Sequence, residues 1–436
     1  MNTNQHNHRY PIKKRKPLLA ALLSFFSLGL GQVYNGEILK GIGLNLIFWA
    51  TFLWYGWYTV SAYFGPFYDL VFFLLIPCGF LLLKIYSIVQ AYIRSRRLGK
   101  AYRLNPVNRW YVYLLFVLIL LIPPFFLNNA IRNRVLSDTS SPHPFRSESA
   151  RTAFLSHYDK QAGQWPVKFE TRMVESAYGK THVWISGPES APPLVLLHGG
   201  PSNSLQWKAN IEALSKDYRT YAIDIIIGTG RSINTVSIEK TTELVSWLDQ
   251  TLTGLGLEDN INMMGLSYGG WITGQYALAG KKRLNNVILV APAGTVSPLS
   301  MKWIKYAVLS LIPHPHFIRN FLYWVLPDFY RMDRAELDLH VEESFLAMRC
   351  FKPVKLLNPT VLTEKEWRRI QTPILLLIGE NERIYSRSAF EVASRINTLA
   401  PRVRTEVIPG AGHDLVFVQA ERINSLVLEF LDPAAE

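Results

Sequence analysis

The stretch Gly-Leu-Ser-Tyr-Gly at residues 265–269 constrains the fold of this chain more than any other. The apolar residues 261–264 before it predict a short strand, and the small residues 269–277 after it predict a helix. A serine held at a sharp strand-to-helix turn needs glycine on both flanks, because the helix packs close to the turn. Chance alone would give this string in roughly one chain in seven of this size. The neighbouring motifs therefore decide whether Ser267 is a nucleophile.

A glycine-rich loop precedes this motif. Residues 193–202 read Pro-Leu-Val-Leu-Leu-His-Gly-Gly-Pro-Ser, a buried-type strand that runs into a loop. Acyl transfer needs backbone N–H donors aimed at the developing oxyanion, and glycine lets the backbone approach a substrate closely. We predict that the amides of Gly200 and Tyr268 form this oxyanion hole, because the following Pro201 has no N–H. An ordinary strand-to-loop turn is the alternative interpretation of the same residues.

A further strand and loop lie between these motifs, at residues 221–232. Asp224 follows the strand and is a candidate for the acid of a catalytic triad. It precedes Ser267 in the chain, however, whereas a serine at this type of turn is followed by its acid and then by its histidine. We therefore predict that Asp224 anchors a turn and takes no part in catalysis.

Candidates for the remaining catalytic groups follow two later strands. The apolar residues 373–378 predict a core strand of a parallel sheet, and Glu380 and Glu382 come soon after it. A second strand, at residues 404–409, leads into Gly-Ala-Gly-His, which ends at His413. A histidine in a glycine-flanked loop can swing over the serine and act as its general base. We predict His413 as the base and Glu382 as the acid that orients it, with Glu380 as the reserve.

Together these motifs resemble the α/β-hydrolase superfamily, and most closely its bacterial carboxylesterase and proline-iminopeptidase-like members. The resemblance covers residues 167–431. It implies an α/β fold with a mostly parallel, doubly wound sheet and a helical cap over the active site. It also implies a serine hydrolase that needs no metal or organic cofactor. The motifs that carry it are His198-Gly199-Gly200-Pro201, Asp224 with Gly228, Gly230 and Ser232, Gly265-Leu266-Ser267-Tyr268-Gly269, Gly379-Glu380-Asn381-Glu382 and Gly410-Ala411-Gly412-His413.

The sequence departs from this family at two points. The family usually has aspartate where Glu382 stands, and glutamate is tolerated as the acid of such triads. The loop after Asp224 usually carries an Arg-Gly-His-like run, whereas residues 225–227 here are three isoleucines, which indicates a more apolar wall near the site. The serine nucleophile argues against the dehalogenase and epoxide-hydrolase branches, which use aspartate.

The basic residues are concentrated before the hydrolase-like part. The chain of 436 residues has 46 Lys and Arg against 33 acidic residues, and residues 1–130 carry 13 of the basic side chains but only Glu37 and Asp69. Nucleic acid is one explanation of a basic chain. Here the basic residues bracket apolar runs and the rest of the chain is nearly neutral, so a membrane lipid bilayer explains them better. Cys78 and Cys350 give no disulfide framework.

Apolar segments at residues 17–33, 41–63, 70–93 and 110–127 predict an all-α transmembrane region. Loop charge predicts that the N-terminus and the basic loop 94–109 both lie in the cytoplasm. An even number of crossings must then separate them. The segment 17–33, which glycine and glutamine interrupt, is the one expected not to cross. The hydrolase part is therefore expected outside the cytoplasm. The alternative is that all four segments cross, which would place the hydrolase part in the cytoplasm and the basic loop outside, against the charge rule.

These patterns divide the chain into a membrane region at residues 1–127, a juxtamembrane linker at 128–165, an α/β-hydrolase core at 166–295 and 371–436, and a helical cap at 296–370. The linker is polar, and its apolar residues are scattered without a period. The cap is rich in aromatic residues, which gives a slight indication of a lipophilic substrate. His314 and His316 lie in the cap, but no Cys or acidic residue stands at ligand spacing, so we predict no metal site.

The predicted protein is a membrane-anchored serine hydrolase of the cell membrane that cleaves a small-molecule ester or amide in the manner of a carboxylesterase. Within enzymes the alternative is a proline-iminopeptidase-like aminopeptidase, in which Glu342 and Glu343 of the cap would hold a free amino terminus. Outside enzymes the alternative is a non-catalytic membrane protein whose hydrolase domain binds a partner or a lipid. The complete set of serine, acid and histidine argues against it. Neither a nucleic acid partner nor a cofactor is expected.

Overall fold

The computed structural model describes residues 13–61, 66–99, 102, 113, 144–200, 202–280, 283–310, 314–326, 328, 334–352 and 356–432. The chain divides into two compact units, Met1–Leu136 and Ser137–Glu436. The predicted membrane segments belong to the first unit, and the motifs of the predicted active site all belong to the second.

The described residues of the first unit are largely helical, with α1 (Pro17–Phe26), α2 (Leu30–Tyr34), α3 (Ile38–Ser61) and α4 (Pro66–Leu98). The predicted segment 17–33 is divided between α1 and α2, and α1 packs against α4. The chain turns at Gly29, which has a φ of 91°, and a Cβ there would meet the Gly41 carbonyl oxygen at 2.1 Å. Glycine is therefore required at this turn, both for its conformation and for the close approach.

Hydrogen-bonded polar side chains occupy the interior of this unit. The Gln32 amide nitrogen donates to the Ser87 carbonyl oxygen at 2.8 Å and to Gln90 Oε1 at 2.9 Å, and both of these bonds join α2 to α4. The Gln32 oxygen accepts from the hydroxyls of Ser24 and Ser87. Large apolar side chains of the same helices are exposed, among them Leu18, Phe26, Leu39, Leu46 and Leu82. The unit thus buries hydrogen-bonded polar side chains together with apolar ones such as Leu30 and Val33, and it exposes other large apolar side chains.

Among the described residues, no helix combines the length and the apolar character needed to cross a membrane. The predicted segment 110–127 lies outside the described residues, apart from Tyr113. The predicted spans therefore gain no support from the described helices.

The second unit is built on a sheet that has nine strands within the described residues. Their order is β1-β2-β4-β3-β6-β7-β8-β9, with β5 paired to β2. β2 pairs antiparallel with β1, β4 and β5, and all the other pairs are parallel. The mostly parallel sheet confirms the predicted α/β-hydrolase fold class for this unit. The strands are β1 (Phe169–Ser176), β2 (Gly179–Ser186), β3 (Pro193–Leu197), β4 (Arg219–Ile223), β5 (Ile233–Asn234), β6 (Ile261–Leu266), β7 (Leu284–Val290), β8 (Ile374–Gly379) and β9 (Val403–Ile408).

Helices surround this sheet and form the cap. The core helices are α5 (Glu148–Ala162), α6 (Ile211–Asp217), α7 (Thr241–Gly254), α8 (Tyr268–Leu278), α13 (Ala389–Leu399), α14 (Leu415–Val418) and α15 (Ala420–Leu431). The residues predicted as the cap contain α9 (Met301–Ser310), α10 (Pro315–Val325), α11 (Arg334–Cys350) and α12 (Glu364–Arg369). The central strands are covered on both faces, since every residue of β6 and of β8 is buried.

The segment predicted as a polar linker contains helix α5, which is part of the hydrolase core. Ser147 caps this helix by accepting from the Ala150 amide, and Phe154 and Tyr158, four residues apart, are both buried in the main apolar cluster. Phe145 pairs with Phe351 after the end of α11. The linker prediction is wrong for these residues, because one pair of large side chains at helical spacing is enough to dock a short helix.

Candidate active site

Ser267 lies at the turn between β6 and α8, with φ 52° and ψ −112°. A positive φ is strained for a residue that carries a Cβ, so the neighbouring backbone must leave room for the turn. A Cβ at Gly265 would meet Thr273 Oγ1 at 2.4 Å, and one at Gly269 would meet the Leu197 carbonyl oxygen at 2.3 Å. Both glycines of the motif are therefore required sterically.

The loops after β8 and β9 bring Glu382 and His413 to this serine. His413 Nε2 is 2.9 Å from Ser267 Oγ, and His413 Nδ1 is 2.7 Å from Glu382 Oε2. With its proton on Nδ1, facing the carboxylate, the imidazole can accept the serine proton at Nε2. The predicted nucleophile, base and acid thus form one hydrogen-bonded chain.

The two candidate glutamates have different contacts. Glu382 is buried, and its Oε1 accepts from the Ile384 amide at 3.0 Å, which holds the carboxylate beside His413. Glu380 is exposed, and its Oε2 accepts from the Gly410 amide at 2.8 Å. The structure therefore brings the preferred acid to the histidine, while the reserve ties the loop after β8 to the loop after β9.

The charge of Glu382 controls the protonation of His413. Burial alone would lower the pKa of His413, but the charge and hydrogen bond of Glu382, with a contribution from the charge of Asp414, raise this pKa above its usual value. A raised pKa makes the imidazole a better acceptor for the serine proton. The arrangement is thus suited to deprotonating Ser267 during attack on a carbonyl carbon.

The glycine-rich loop after β3 lies against the start of α8. A Cβ on Gly199 would be 3.4 Å from Ser267 Cβ, and one on Gly200 would be 3.3 Å from Tyr268 Cβ. The Gly199 amide already donates to Gln206 Oε1 at 2.6 Å, so it is not available to a substrate oxygen. The loop therefore brings together Gly200 and Tyr268, whose amides are the predicted oxyanion donors.

Asp224 is fully buried at the centre of a hydrogen-bond cluster. Its carboxylate accepts from the Ser204 and Arg231 amides and contacts the His182 ring and the Tyr158 hydroxyl. Burial alone would raise the pKa of this carboxyl, but the hydrogen bond and charge of His182 hold the pKa well below its usual range. The prediction that Asp224 anchors its loop is confirmed, and the contribution of Tyr158 from α5 was missed.

His198 joins the loops that follow β3 and β4. Its Nε2 accepts from the Ile225 amide at 3.0 Å, and its Nδ1 donates to the Gly199 carbonyl oxygen at 2.6 Å. Burial lowers the pKa of His198, so the ring is neutral near pH 7 and acts as a fixed crosslink. The three isoleucines at 225–227 are buried in the apolar cluster that also contains Tyr268.

Comparison with known proteins identifies the family of the second unit. A model of the Alpha/beta hydrolase family matches residues 194–426. Carboxylesterase YbfK of Bacillus subtilis is 33% identical over 297 residues, which are 66% of this chain and 96% of that protein. The chain belongs to the alpha/beta hydrolase family. It is a serine hydrolase.

Further sequence and structure matches of this hydrolase are also to esterases. The uncharacterized carboxylesterase nap of Bacillus subtilis is 32% identical over 303 residues, which are 68% of this chain and 98% of that protein. The crystal structure of naproxen esterase (carboxylesterase NP) from Bacillus subtilis matches with a TM-score of 0.60 at 32% identity. That match covers 66% of this chain and 100% of the esterase. The family match at residues 194–426 lies within the second unit, and these relatives support ester hydrolysis.

Cap residues of the hydrolase contact its catalytic loops. The Tyr268 hydroxyl donates to the Leu357 carbonyl oxygen at 3.2 Å. Asn203, in the loop that follows β3, donates to Glu343 Oε1 of α11 at 2.8 Å. Asp328 accepts from the amide of Gly412, the residue before His413, at 2.5 Å. The segment between β7 and β8 therefore contacts Tyr268, the loop that carries Gly200 and the loop that carries His413.

His314 and His316 have structural contacts in the hydrolase. His314 is the N-cap of α10, and its Nδ1 accepts from the His316 amide at 3.1 Å. His316 Nε2 is 2.9 Å from Asn320 Nδ2. No group of three or more metal-ligating side chains occurs in the part of the chain that the structure describes.

Proposed function

We propose that the protein is a carboxylesterase that uses Ser267, His413 and Glu382 as its catalytic triad. The observation that carries the proposal is the continuous chain of hydrogen bonds, 2.9 Å from Ser267 to His413 and 2.7 Å from His413 to Glu382. This is the geometry needed to activate a hydroxyl nucleophile. The carboxylesterases among its relatives support an ester as the substrate.

The reaction proceeds through an acyl-enzyme. Ser267 Oγ attacks the ester carbonyl carbon while His413 Nε2 takes its proton, and Glu382 stays ionised against the imidazolium. The amides of Gly200 and Tyr268 hold the oxyanion of the tetrahedral intermediate. His413 then protonates the leaving alcohol. A water molecule, deprotonated by the same Nε2, attacks the acyl group, and the carboxylic acid leaves as Ser267 regains its proton.

The aminopeptidase alternative needs acidic groups that can hold a free amino terminus. Glu343 is partly occupied by Asn203, which donates to its Oε1, and Glu342 is exposed on α11. No contact in the described residues therefore favours this function over ester hydrolysis. The alternative of a non-catalytic binding protein leaves the hydrogen-bonded triad unexplained.

The substrate class is tested with the purified full chain on p-nitrophenyl esters of increasing acyl length and on proline p-nitroanilide. We expect ester hydrolysis that a fluorophosphonate abolishes, and an anilide rate lower by orders of magnitude. A fluorophosphonate-sensitive anilide rate above every ester rate would instead identify an aminopeptidase. Absence of both turnover and fluorophosphonate labelling would identify a non-catalytic protein.

We further propose that the first unit attaches the enzyme to the cell membrane, with the hydrolase outside the cytoplasm. The support is the exposure of large apolar side chains such as Leu39, which is 83% exposed, together with interior hydrogen bonds such as that from Gln32 to the Ser87 carbonyl oxygen. Exposed apolar surface is costly in water, whereas in lipid it is favourably solvated, and the Gln32 amide is satisfied within the unit. The excess of basic residues in loop 94–109 supports a cytoplasmic position for that loop.

Single cysteines test this topology in a chain whose Cys78 and Cys350 have been replaced. Arg96 and Ser149 are both exposed, one at the end of α4 and the other in α5. We expect a membrane-impermeant maleimide to label Ser149→Cys but not Arg96→Cys on intact cells, because moving the basic loop outward opposes the membrane potential. Cell lysis should make both positions reactive. Labelling of position 96 alone would put the hydrolase in the cytoplasm.

A further inference from the structure

Asp414, the residue after the proposed catalytic base, is buried without a hydrogen-bond partner. Its exposed fraction is 0%, and neither carboxyl oxygen lies in hydrogen-bonding geometry with a donor in the structure. A buried carboxylate in this state is costly, because it has lost the hydrogen bonds of water and gained none. We therefore expect either a neighbouring group to neutralise its charge or the carboxyl group itself to be protonated.

A second buried carboxyl lies beside it. Asp328 belongs to the segment between α10 and α11, and its Oδ2 accepts from the Gly412 amide at 2.5 Å. This bond links the cap to the loop that carries His413 and Asp414. Burial, followed by the charge of Asp328 and hydrogen bonding to it, raises the pKa of Asp414 to about 7. Two adjacent carboxyls in a dry site cannot both be ionised without strong repulsion.

We propose that Asp328 and Asp414 share one proton, and that this acid pair holds the cap against the catalytic histidine loop. One oxygen of Asp328 accepts the Gly412 amide, and the shared proton joins the two carboxyls. Asp328 and Asp414 are then positioning residues, since they act on His413 through its loop and touch no reacting atom.

The titratable groups around the pair are His413, Glu382 and His340. His413 lies next to Asp414 in the chain, and its positive form lowers the pKa of Asp414. On the far side of His413, the Glu382 carboxylate contacts His413 Nδ1. His340 of α11 packs its ring 5.8 Å from the ring of Phe417, three residues after Asp414. None of these groups supplies the missing hydrogen bond to the Asp414 oxygens.

The protonated pair contributes stability that is lost between acidic and neutral pH. The native pKa of Asp414 lies above the unfolded value of about 3.9, so the native state binds the extra proton and unfolding releases it. The contribution of Asp414 to stability is therefore lost as the pH rises from about 4 to about 7, and it changes little above that. Loss of the proton leaves two negative charges facing each other between the cap and the His413 loop.

The variants D414N and D328N test the proposal in the full chain. An asparagine amide donates to the remaining carboxylate, so each variant fixes the pair in its one-proton state at every pH. Each thermal midpoint is measured against wild type at pH 5 and pH 8, by the fluorescence of the buried tryptophans. The quantity compared is the thermal midpoint of the variant minus that of wild type. We expect this difference to be more positive at pH 8 than at pH 5, by about 5 °C or more.

The matched control is Glu380→Gln, which removes an exposed carboxylate that also accepts a loop amide, that of Gly410. Its midpoint difference from wild type should be the same at both pH values. Equal differences at both pH values for D414N and D328N would overturn the proposal. Failure of both variants to fold would overturn it as well, because a pair that carries one proton tolerates one amide.

A kinetic measurement adds a readout for the histidine loop, and this part rests on the proposed esterase function. Relative to wild type, D414N should retain more ester hydrolysis at pH 8 than at pH 6, because the loop no longer experiences the second charge. A profile identical to that of wild type would show that the pair does not act on His413. The midpoint measurement does not depend on catalysis, so failure of the acid pair and failure of the esterase proposal remain distinguishable.

Discussion

Replacing Ser267 with alanine should lower kcat for p-nitrophenyl acetate by about 10⁴-fold or more. The variant loses the Oγ that attacks the carbonyl and that lies 2.9 Å from His413 Nε2. The fold should persist, because alanine and serine both carry a Cβ and place the same demand on the positive φ of 52° at this turn. Steady-state kinetics and the far-ultraviolet circular dichroism spectrum are compared with those of wild type.

The control for this prediction is Ser149→Ala, which removes an exposed hydroxyl from the surface of α5. It should keep the wild-type rate within about twofold, since surface substitutions of this kind have small effects. His413→Ala should resemble Ser267→Ala, because the two residues act as one unit and their losses do not add. A Ser267→Ala variant that keeps more than a hundredth of the wild-type rate would contradict the proposed nucleophile.

The fold of the second unit and the members of its site could be predicted because both depend on chain order. Buried parallel strands such as β6 and β8 are mostly apolar, so the polar and glycine-rich motifs that follow them are recognisable in the sequence. The same edge of the sheet then collects Ser267, Glu382 and His413. Chain order also excluded Asp224 as the acid, and the structure gives Asp224 a structural role.

The contacts that could not be predicted join segments without a periodic pattern. Asp328 reaches Gly412 across 84 residues, and only the folded cap brings them together. The docking of α5 had a detectable signal, because Ser147 is a good N-cap residue and Phe154 and Tyr158 are spaced four apart. The polar composition of the segment nevertheless favours a linker, and one pair of apolar residues at helical spacing is a weak signal against it.

The first unit shows where sequence hydropathy and described structure diverge. The apolar run 17–33 appears in the sequence as one segment, but Gly29 turns the chain and divides it into α1 and α2. The Gln32 side chain, which interrupts the apolar pattern, bonds to α4 from the interior of the unit. Gly29 and Gln32 therefore mark a turn and a packing contact within the unit. The sequence alone could not show this, because it does not identify α4 as the partner of Gln32.

The choice between the two glutamates leads to the second large effect. Glu382→Gln should lower kcat for p-nitrophenyl acetate by about 10⁴-fold, whereas Glu380→Gln should cost less than about tenfold. An amide at position 382 cannot stabilise the imidazolium, and it can fix the wrong tautomer of His413 by donating to Nδ1. The two substitutions remove the same charge from positions two residues apart, so each is the control for the other.

The different expected costs follow from the contacts of the two carboxylates. Glu382 is buried, its Oε2 lies 2.7 Å from His413 Nδ1, and the Ile384 amide fixes its carboxylate there. Solvent therefore cannot readily compensate for the loss of its charge. Glu380 is exposed, and its bond to the Gly410 amide can be kept by the oxygen of a glutamine. Equal and small losses in the two variants would mean that another acid orients His413. Asp414, which is buried next to His413 in the chain, would then be the first candidate.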